Sequence, residues 1–164
     1  MLLKRQRQLL ALLDALGGRV ANLDFQKLLF LYCEESAGAP YDFVPYKFGA
    51  FSFTSYADRR KLIERGVLVA DEQVWKISAE GRRSLDATAP ADVAAFARLH
   101  RHRRGDALVA ATYRRFPYYA PRSELANRVL AGDAKALSQI DLARQWPNVD
   151  CRPLAMRASR WSVI

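Results

Sequence analysis

Up to Gly66 the chain holds three stretches patterned as helices, each cut short by residues a helix does not tolerate, and this punctuation limits the possible folds sharply. Leu9, Leu10, Leu12, Leu13 and Leu16 recur at helical spacing and stop at Gly17-Gly18, whose backbone freedom suits a helix C-terminus. Asn22 is a cap candidate for a second helix and Asp24 favours its first turn. Phe25, Leu28, Leu29, Leu31, Tyr32 and Cys33 form its buried stripe, which ends near Ser36. Ala37-Gly38-Ala39-Pro40 breaks the pattern, and Tyr41 to Val44 alternates toward a short strand before Pro45. Phe48-Gly49-Ala50-Phe51-Ser52 reads as a turn, with Gly49 open to positive φ and Ser52 placed to cap a third helix from about Phe53 to Arg65.

Gly66 closes that helix. Val67 to Ala70 and Val74 to Ile77 then read as two short strands around the polar turn Asp71-Glu72-Gln73, and Ser78 caps a short helix, Ala79 to Leu85, with Gly81 inside it. The order helix, helix, strand, helix, hairpin, helix predicts a mainly α fold with a small β wing: a winged helix-turn-helix over 1–86. Asp86 to Asp92 is a short linker, and Pro90 opens a helical extension over 90–146. Helices are expected over Ala91 to His102, Asp106 to Arg115, Ser123 to Ala131 and Asp133 to Ala143. Residues 147–164 show no periodicity and read as an irregular tail.

Size and charge narrow the function. A chain of 164 residues, 51% apolar, holds one ordinary domain or a small domain with an extension, and large multi-domain enzymes are excluded. Lys and Arg total 26 against 17 acidic residues, a net charge of +9, which points to polyanionic partners. No run approaches the roughly 18 apolar residues of a membrane span, and no cleavable leader is legible, so a cytoplasmic protein without membrane association is expected. Catalysis is not expected: the chain lacks GxxxxGK, HExxH and GxSxG, and its two histidines sit in the basic run Arg98 to Arg104. Cys33 and Cys151 form no CxxC pair and have no histidine at ligand spacing, so neither a metal nor another cofactor is expected. Cys33, on an apolar stripe, reads as a structural thiol.

In a winged helix the helix after the turn enters the major groove. If Phe53, Tyr56, Leu62 and Ile63 face the core, Thr54, Asp58, Lys61 and Arg65 form an outward strip with Ser55, Arg59 and Arg60 beside it. The expected nucleic-acid contacts are therefore Thr54, Ser55, Arg59, Arg60 and Lys61, with Arg59 and Arg60 foremost because a guanidinium makes paired hydrogen bonds to guanine or phosphate. Lys47 and Lys76 flank the unit where phosphate contacts are natural. The run His100 to Arg104 suits either a phosphate or the negative end of a helix dipole. Phe116-Pro117-Tyr118-Tyr119-Ala120-Pro121 suits either stacking of single-stranded bases or plain packing.

The run Gln26-Lys27-Leu28-Leu29-Phe30-Leu31-Tyr32 followed by Tyr41-Asp42-Phe43-Val44-Pro45-Tyr46-Lys47-Phe48-Gly49-Ala50-Phe51-Ser52 resembles the N-terminal winged helix-turn-helix region of bacterial proteins that carry a downstream α/β domain of unknown function. Phe116 to Ala120 and Arg122-Ser123-Glu124 resemble their helical connector, so the similarity covers roughly residues 20–135. More distantly, the QKLL-type helix resembles the start of the Panacea domain of antitoxins, from which the residues after Tyr32 depart. The first resemblance implies the fold and association with DNA; the second implies binding of a partner protein. The longer pattern continues where this sequence stops at Ile164, which suits a stand-alone module or one whose remainder is lost.

Two functions are thus expected from the sequence. The first is a regulatory, double-stranded DNA-binding winged helix with helix 53–65 in the major groove. The alternative is an antitoxin-like or defence-associated protein-interaction module, or a homodimer, because the leucines of the first helix exceed what one helix face normally buries.

Overall fold

The structure, a computed structural model, describes residues 2–36, 38–85 and 89–145. In chain order its elements are α1 (Lys4–Ala15), β1 (Arg19–Ala21), α2 (Asn22–Glu35), β2 (Val44–Tyr46), β3 (Gly49–Phe51), α3 (Phe53–Glu64), β4 (Val74–Lys76), α4 (Ala79–Arg83), α5 (Ala91–His100), α6 (Gly105–Arg115), a 3₁₀ turn (Pro117–Tyr119), α7 (Ala126–Val129) and α8 (Ala134–Gln145). The described chain is mainly helical with two short antiparallel strand pairs, β1–β4 and β2–β3. The described residues form two compact units, one lying within Met1–Phe43 and Ser52–Gly105, the other within Val44–Phe51 and the described residues that follow Gly105.

In the first unit the leucine periodicity is used in full. Leu9, Leu10, Leu12 and Leu13 are all fully buried, and α1 packs against both α2 and α5. A helix with leucine on more than one face is buried on more than one face. Most of the surplus leucines are therefore spent inside the unit; of the six from Leu2 to Leu13, Leu3 is exposed and Leu2 half-buried.

Gly17 and Gly18, expected to do no more than end α1, take φ of 106° and 74° and turn the chain into β1, a strand not anticipated from the sequence. β1 pairs with β4 in the register Arg19↔Lys76, Val20↔Trp75, Ala21↔Val74. The expected hairpin is correspondingly reduced. Its first arm reaches β4 through the bridge Leu68↔Ile77 and the bond from the Val69 amide to the Lys76 carbonyl at 2.9 Å. Asn22 also departs from its expected role, since it lies inside α2 and its side-chain amide donates to the Glu72 carbonyl. The core joins these elements through Trp75, fully buried, whose ring lies 4.7 Å from that of Phe25.

In the second unit β2 and β3 form a hairpin with Val44↔Phe51, Pro45↔Ala50 and Tyr46↔Gly49 in register. The residues read as a turn thus supply a strand, and the reversal falls at Lys47-Phe48, with Gly49 at φ 85°. Pro45 fits because a strand paired on one side loses little from a missing amide. Asp133 caps α8 by accepting from the Ala136 amide at 3.1 Å, as its position suggests. The helix expected from Ser123 is only Ala126–Val129, because the Ser123 hydroxyl serves a turn, accepting from the Leu125 amide at 3.1 Å. The residues of the expected tail, 147–164, lie outside the described residues.

Candidate nucleic-acid interface on the third helix

α3 begins as the sequence predicts: the Ser52 side chain accepts from the Ser55 amide at 3.2 Å. What seats the helix was not legible. Gln26 of α2 accepts from the Ser52 amide at 3.2 Å and donates to the Ser55 hydroxyl at 2.9 Å, and that hydroxyl donates to the Ser52 carbonyl at 2.9 Å. All three side chains are buried, so each polar atom repays its desolvation with a bond. Ser55, expected to contact nucleic acid, belongs to this clasp and is inaccessible.

One turn further, Asp58 is 1% exposed rather than outward-facing. Its carboxylate accepts from Arg5 Nε at 2.6 Å, Arg5 Nη2 at 3.2 Å, Gln6 Nε2 at 2.9 Å and Tyr41 Oη at 3.1 Å. Burial alone would push this carboxyl upward, but the bonds from Arg5, Gln6 and Tyr41 together hold it below the usual carboxylate range. Burial, then the charge of Asp58, pushes the Tyr41 phenol up.

The buried face of α3 is therefore Ser55, Asp58 and Leu62; of the four apolar residues assigned to the core, Leu62 is fully buried and the other three are not. Phe53 is 59% exposed, and Tyr56 and Ile63 are half-buried. A shallow depression of about 510 Å³ runs along the helix between Phe53, Tyr56, Ala57, Arg59, Arg60, Ile63 and Glu64.

Arg59 is also reassigned. Its guanidinium donates to the Asp71 carbonyl and to the Val74 carbonyl at 2.9 Å, and lies over the Trp75 ring 5.0 Å from the centroid. A guanidinium spent on two carbonyls and a ring face fastens α3 to the turn before β4 and is not open to a base. Thr54, Arg60 and Lys61 are exposed, and among the described residues their side chains make no hydrogen bond or ion pair. Lys76 is exposed on β4 directly opposite exposed Arg19, a residue the sequence reading did not single out because β1 was not foreseen. Lys47 is exposed in the β2–β3 turn of the second unit, where its carbonyl accepts from the Glu124 amide at 2.9 Å.

The other candidate surfaces are less open than expected. Phe116 and Tyr119 are buried, with Tyr119 edge-on to Tyr118 at 5.2 Å, so this run offers no pair of exposed stacking faces. Cys33 is buried and its thiol is pushed up to about 12, mainly by burial, leaving it protonated and unreactive near neutrality. Cys151 lies outside the described residues. No helix among the described residues is long and apolar enough to cross a membrane. No protein-family model, curated protein or solved structure matches the chain, so what the site can do rests on its own geometry.

Proposed function

We propose that the first unit is a winged helix-turn-helix module that binds double-stranded nucleic acid, with α3 in the major groove and the β1–β4 edge along the backbone. The element order within the first unit supports this reading: α1, β1, α2 and α3, then β4, which closes a strand ladder by pairing back onto β1. Uncompensated charge carries it. Arg19 and Lys76 face each other across an antiparallel ladder, a like-charge arrangement that costs stability, and among the described residues neither reaches a carboxylate within ion-pair distance. Among the described residues Arg60 and Lys61 also have no ion-pair partner, whereas Arg5, Arg82 and Arg83 of the same unit each hold an acidic one. An anion bound along this edge relieves the repulsion.

The contacts differ from those expected of the sequence. Arg60, Lys61 and Thr54 face the ligand, Lys76 and Arg19 hold phosphates, and Arg59 positions the wing without touching a base. The turn before β4 carries Asp71 and Glu72, and the charge of Arg19 contributes, after the bonds from the Gln73 and Val74 amides, to lowering the Asp71 carboxyl. The test is fluorescence anisotropy with a labelled duplex at low salt. Arg60→Ala with Lys61→Ala weakens binding at least several-fold; duplex binding that is absent, or unchanged in that variant, rejects the reading.

A protein partner is the second reading, and exposed Phe53 beside the depression on α3 favours it. In that case Phe53→Ala abolishes capture of the partner and duplex binding is not observed.

A further inference from the structure

Beyond α3, the region around the Gly17-Gly18 turn gathers positive charge from three parts of the first unit that are far apart in sequence. The chain leaving α5 is pinned there at two points. Arg104 Nη2 donates to the Leu16 carbonyl at 3.3 Å, and the Gly105 amide donates to Asp24 Oδ1 at 2.7 Å. The end of α5 therefore lies against the segment from the end of α1 to the start of α2. That same segment carries β1, with Arg19 opposite Lys76, and the Ile77 amide bonds the Gly18 carbonyl at 2.9 Å. Arg19, Lys76, Arg101 and Arg103 are all exposed there, and Arg104 is half-buried.

Of the nearby carboxylates, Asp71 feels this charge: the bonds from the Gln73 and Val74 amides, then the charges of Arg19 and Arg59, hold it below the usual carboxylate range, and it forms no ion pair with Arg19 among the described residues. Asp24 is buried and bound to the Gly105 amide, and Asp14 pairs with Arg82 at 3.2 Å. Glu35 is taken by His100, whose Nε2 lies 3.1 Å from Oε2 and whose ring stacks on Phe96 at 4.3 Å. Arg101 and Arg103 reach no acidic side chain among the described residues. Helix-terminal carbonyls account for one cation at the end of α5, not for a band that continues onto β1 and β4, since the dipole acts only within the last turn.

We infer that this band is a backbone track: it binds a run of nucleic-acid phosphates beyond the stretch held by α3, giving affinity without sequence preference. The inference rests on the nucleic-acid reading, extends its footprint, and adds Arg101 and Arg103 to its contacts.

Salt-dependent anisotropy with a labelled duplex distinguishes the two. The proteins compared are the wild type, Arg101→Gln/Arg103→Gln, Arg60→Ala/Lys61→Ala, and a control, Arg83→Gln/Arg128→Gln, which removes two charges already paired with Glu80 and Asp106. All six substituted side chains are exposed or paired only at the surface, and thermal melting verifies folding. With each phosphate contact worth a slope of about 0.9 in log K against log salt, the Arg101/Arg103 variant is expected to lose about 2 from the slope, and the control to keep it. If that variant keeps the wild-type slope while the Arg60/Lys61 variant weakens, the track is wrong and the groove reading stands. If the Arg101/Arg103 variant weakens and the Arg60/Lys61 variant does not, the track stands and the groove reading falls. A control that loses as much slope as the track variant overturns the track as a mere effect of net charge. Absence of duplex binding overturns both.

Discussion

Arg59 lies over the ring of Trp75, 5.0 Å from its centroid, while its guanidinium holds the Val74 carbonyl at 2.9 Å. Trp75 is the central aromatic of the first unit, so this contact ties α3 to the strand ladder. Arg59→Lys keeps the charge but not the flat guanidinium that lies over the Trp75 ring while its Nη2 serves two carbonyls. It is expected to cost about 1–2 kcal/mol in urea denaturation, whereas Arg60→Lys, at an exposed position, stays within about 0.5 kcal/mol of wild type. Equal effects at the two positions would contradict the assignment of Arg59 to positioning and Arg60 to the ligand.

Asp58 makes the same helix depend on acid. Removing the carboxylate leaves the donors of Arg5 and Gln6 without this acceptor and Tyr41 with only the longer contact to the Arg5 carbonyl, and Asp58→Ala is expected to cost about 2–3 kcal/mol. The pH dependence follows from the depressed carboxyl. Its stabilisation is fully present above the unfolded value of about 3.9 and is lost as pH falls through the lower folded value. Denaturation curves between neutrality and strong acid should therefore steepen below about pH 4 in the wild type, and less so in Asp58→Asn.

Gly81 tests the packing of α4. Replacing a helix glycine with alanine ordinarily gains about 1 kcal/mol. Here a Cβ would stand 2.2 Å from the Val67 carbonyl oxygen and 2.7 Å from Ile77 Cγ1, and backbone does not yield as a side-chain tip does. Gly81→Ala is expected to destabilise by about 1–3 kcal/mol; a gain in melting temperature would show that α4 does not sit this close to Val67.

Lys27 is 1% exposed on α2, and desolvation lowers its ammonium to about 7. Between that value and the unfolded value near 10.4 the unfolded chain binds the extra proton, so the Lys27 contribution makes the protein more stable as pH rises from 7. One proton corresponds to about 1.4 kcal/mol per pH unit at most. Because Cys33 acts in the opposite sense above about pH 9, the comparison belongs at pH 7 to 9. Lys27→Met should remove the rise; a variant with the wild-type slope would place the proton elsewhere.

Much of the helical framework was legible because leucine spacing and glycine stops are local signals. α1, α2 and the Ser52 cap of α3 follow from residues adjacent in sequence. β1 was not legible: three residues after two glycines have no periodicity of their own and become a strand only by pairing with Val74, Trp75 and Lys76. The orientation of α3 inverted the simplest rule. Ser55 and Asp58 turn inward because Gln26, Arg5, Gln6 and Tyr41 satisfy them, and this leaves Phe53 outside. The same inversion moved Ser55 off the candidate interface and, with the Arg59 latch, left Thr54, Arg60, Lys61 and Lys76 as the exposed expected contacts of the first unit.

The most direct test of the central claim is a map of backbone amide shifts as unlabelled duplex is added to isotopically labelled protein. The prediction is a contiguous set of perturbed amides around Thr54, Arg60 and Lys61 and along Arg19 and Lys76, weakening as salt is raised. Shifts confined to the second unit, or none at concentrations where a basic protein binds duplex nonspecifically, would contradict it.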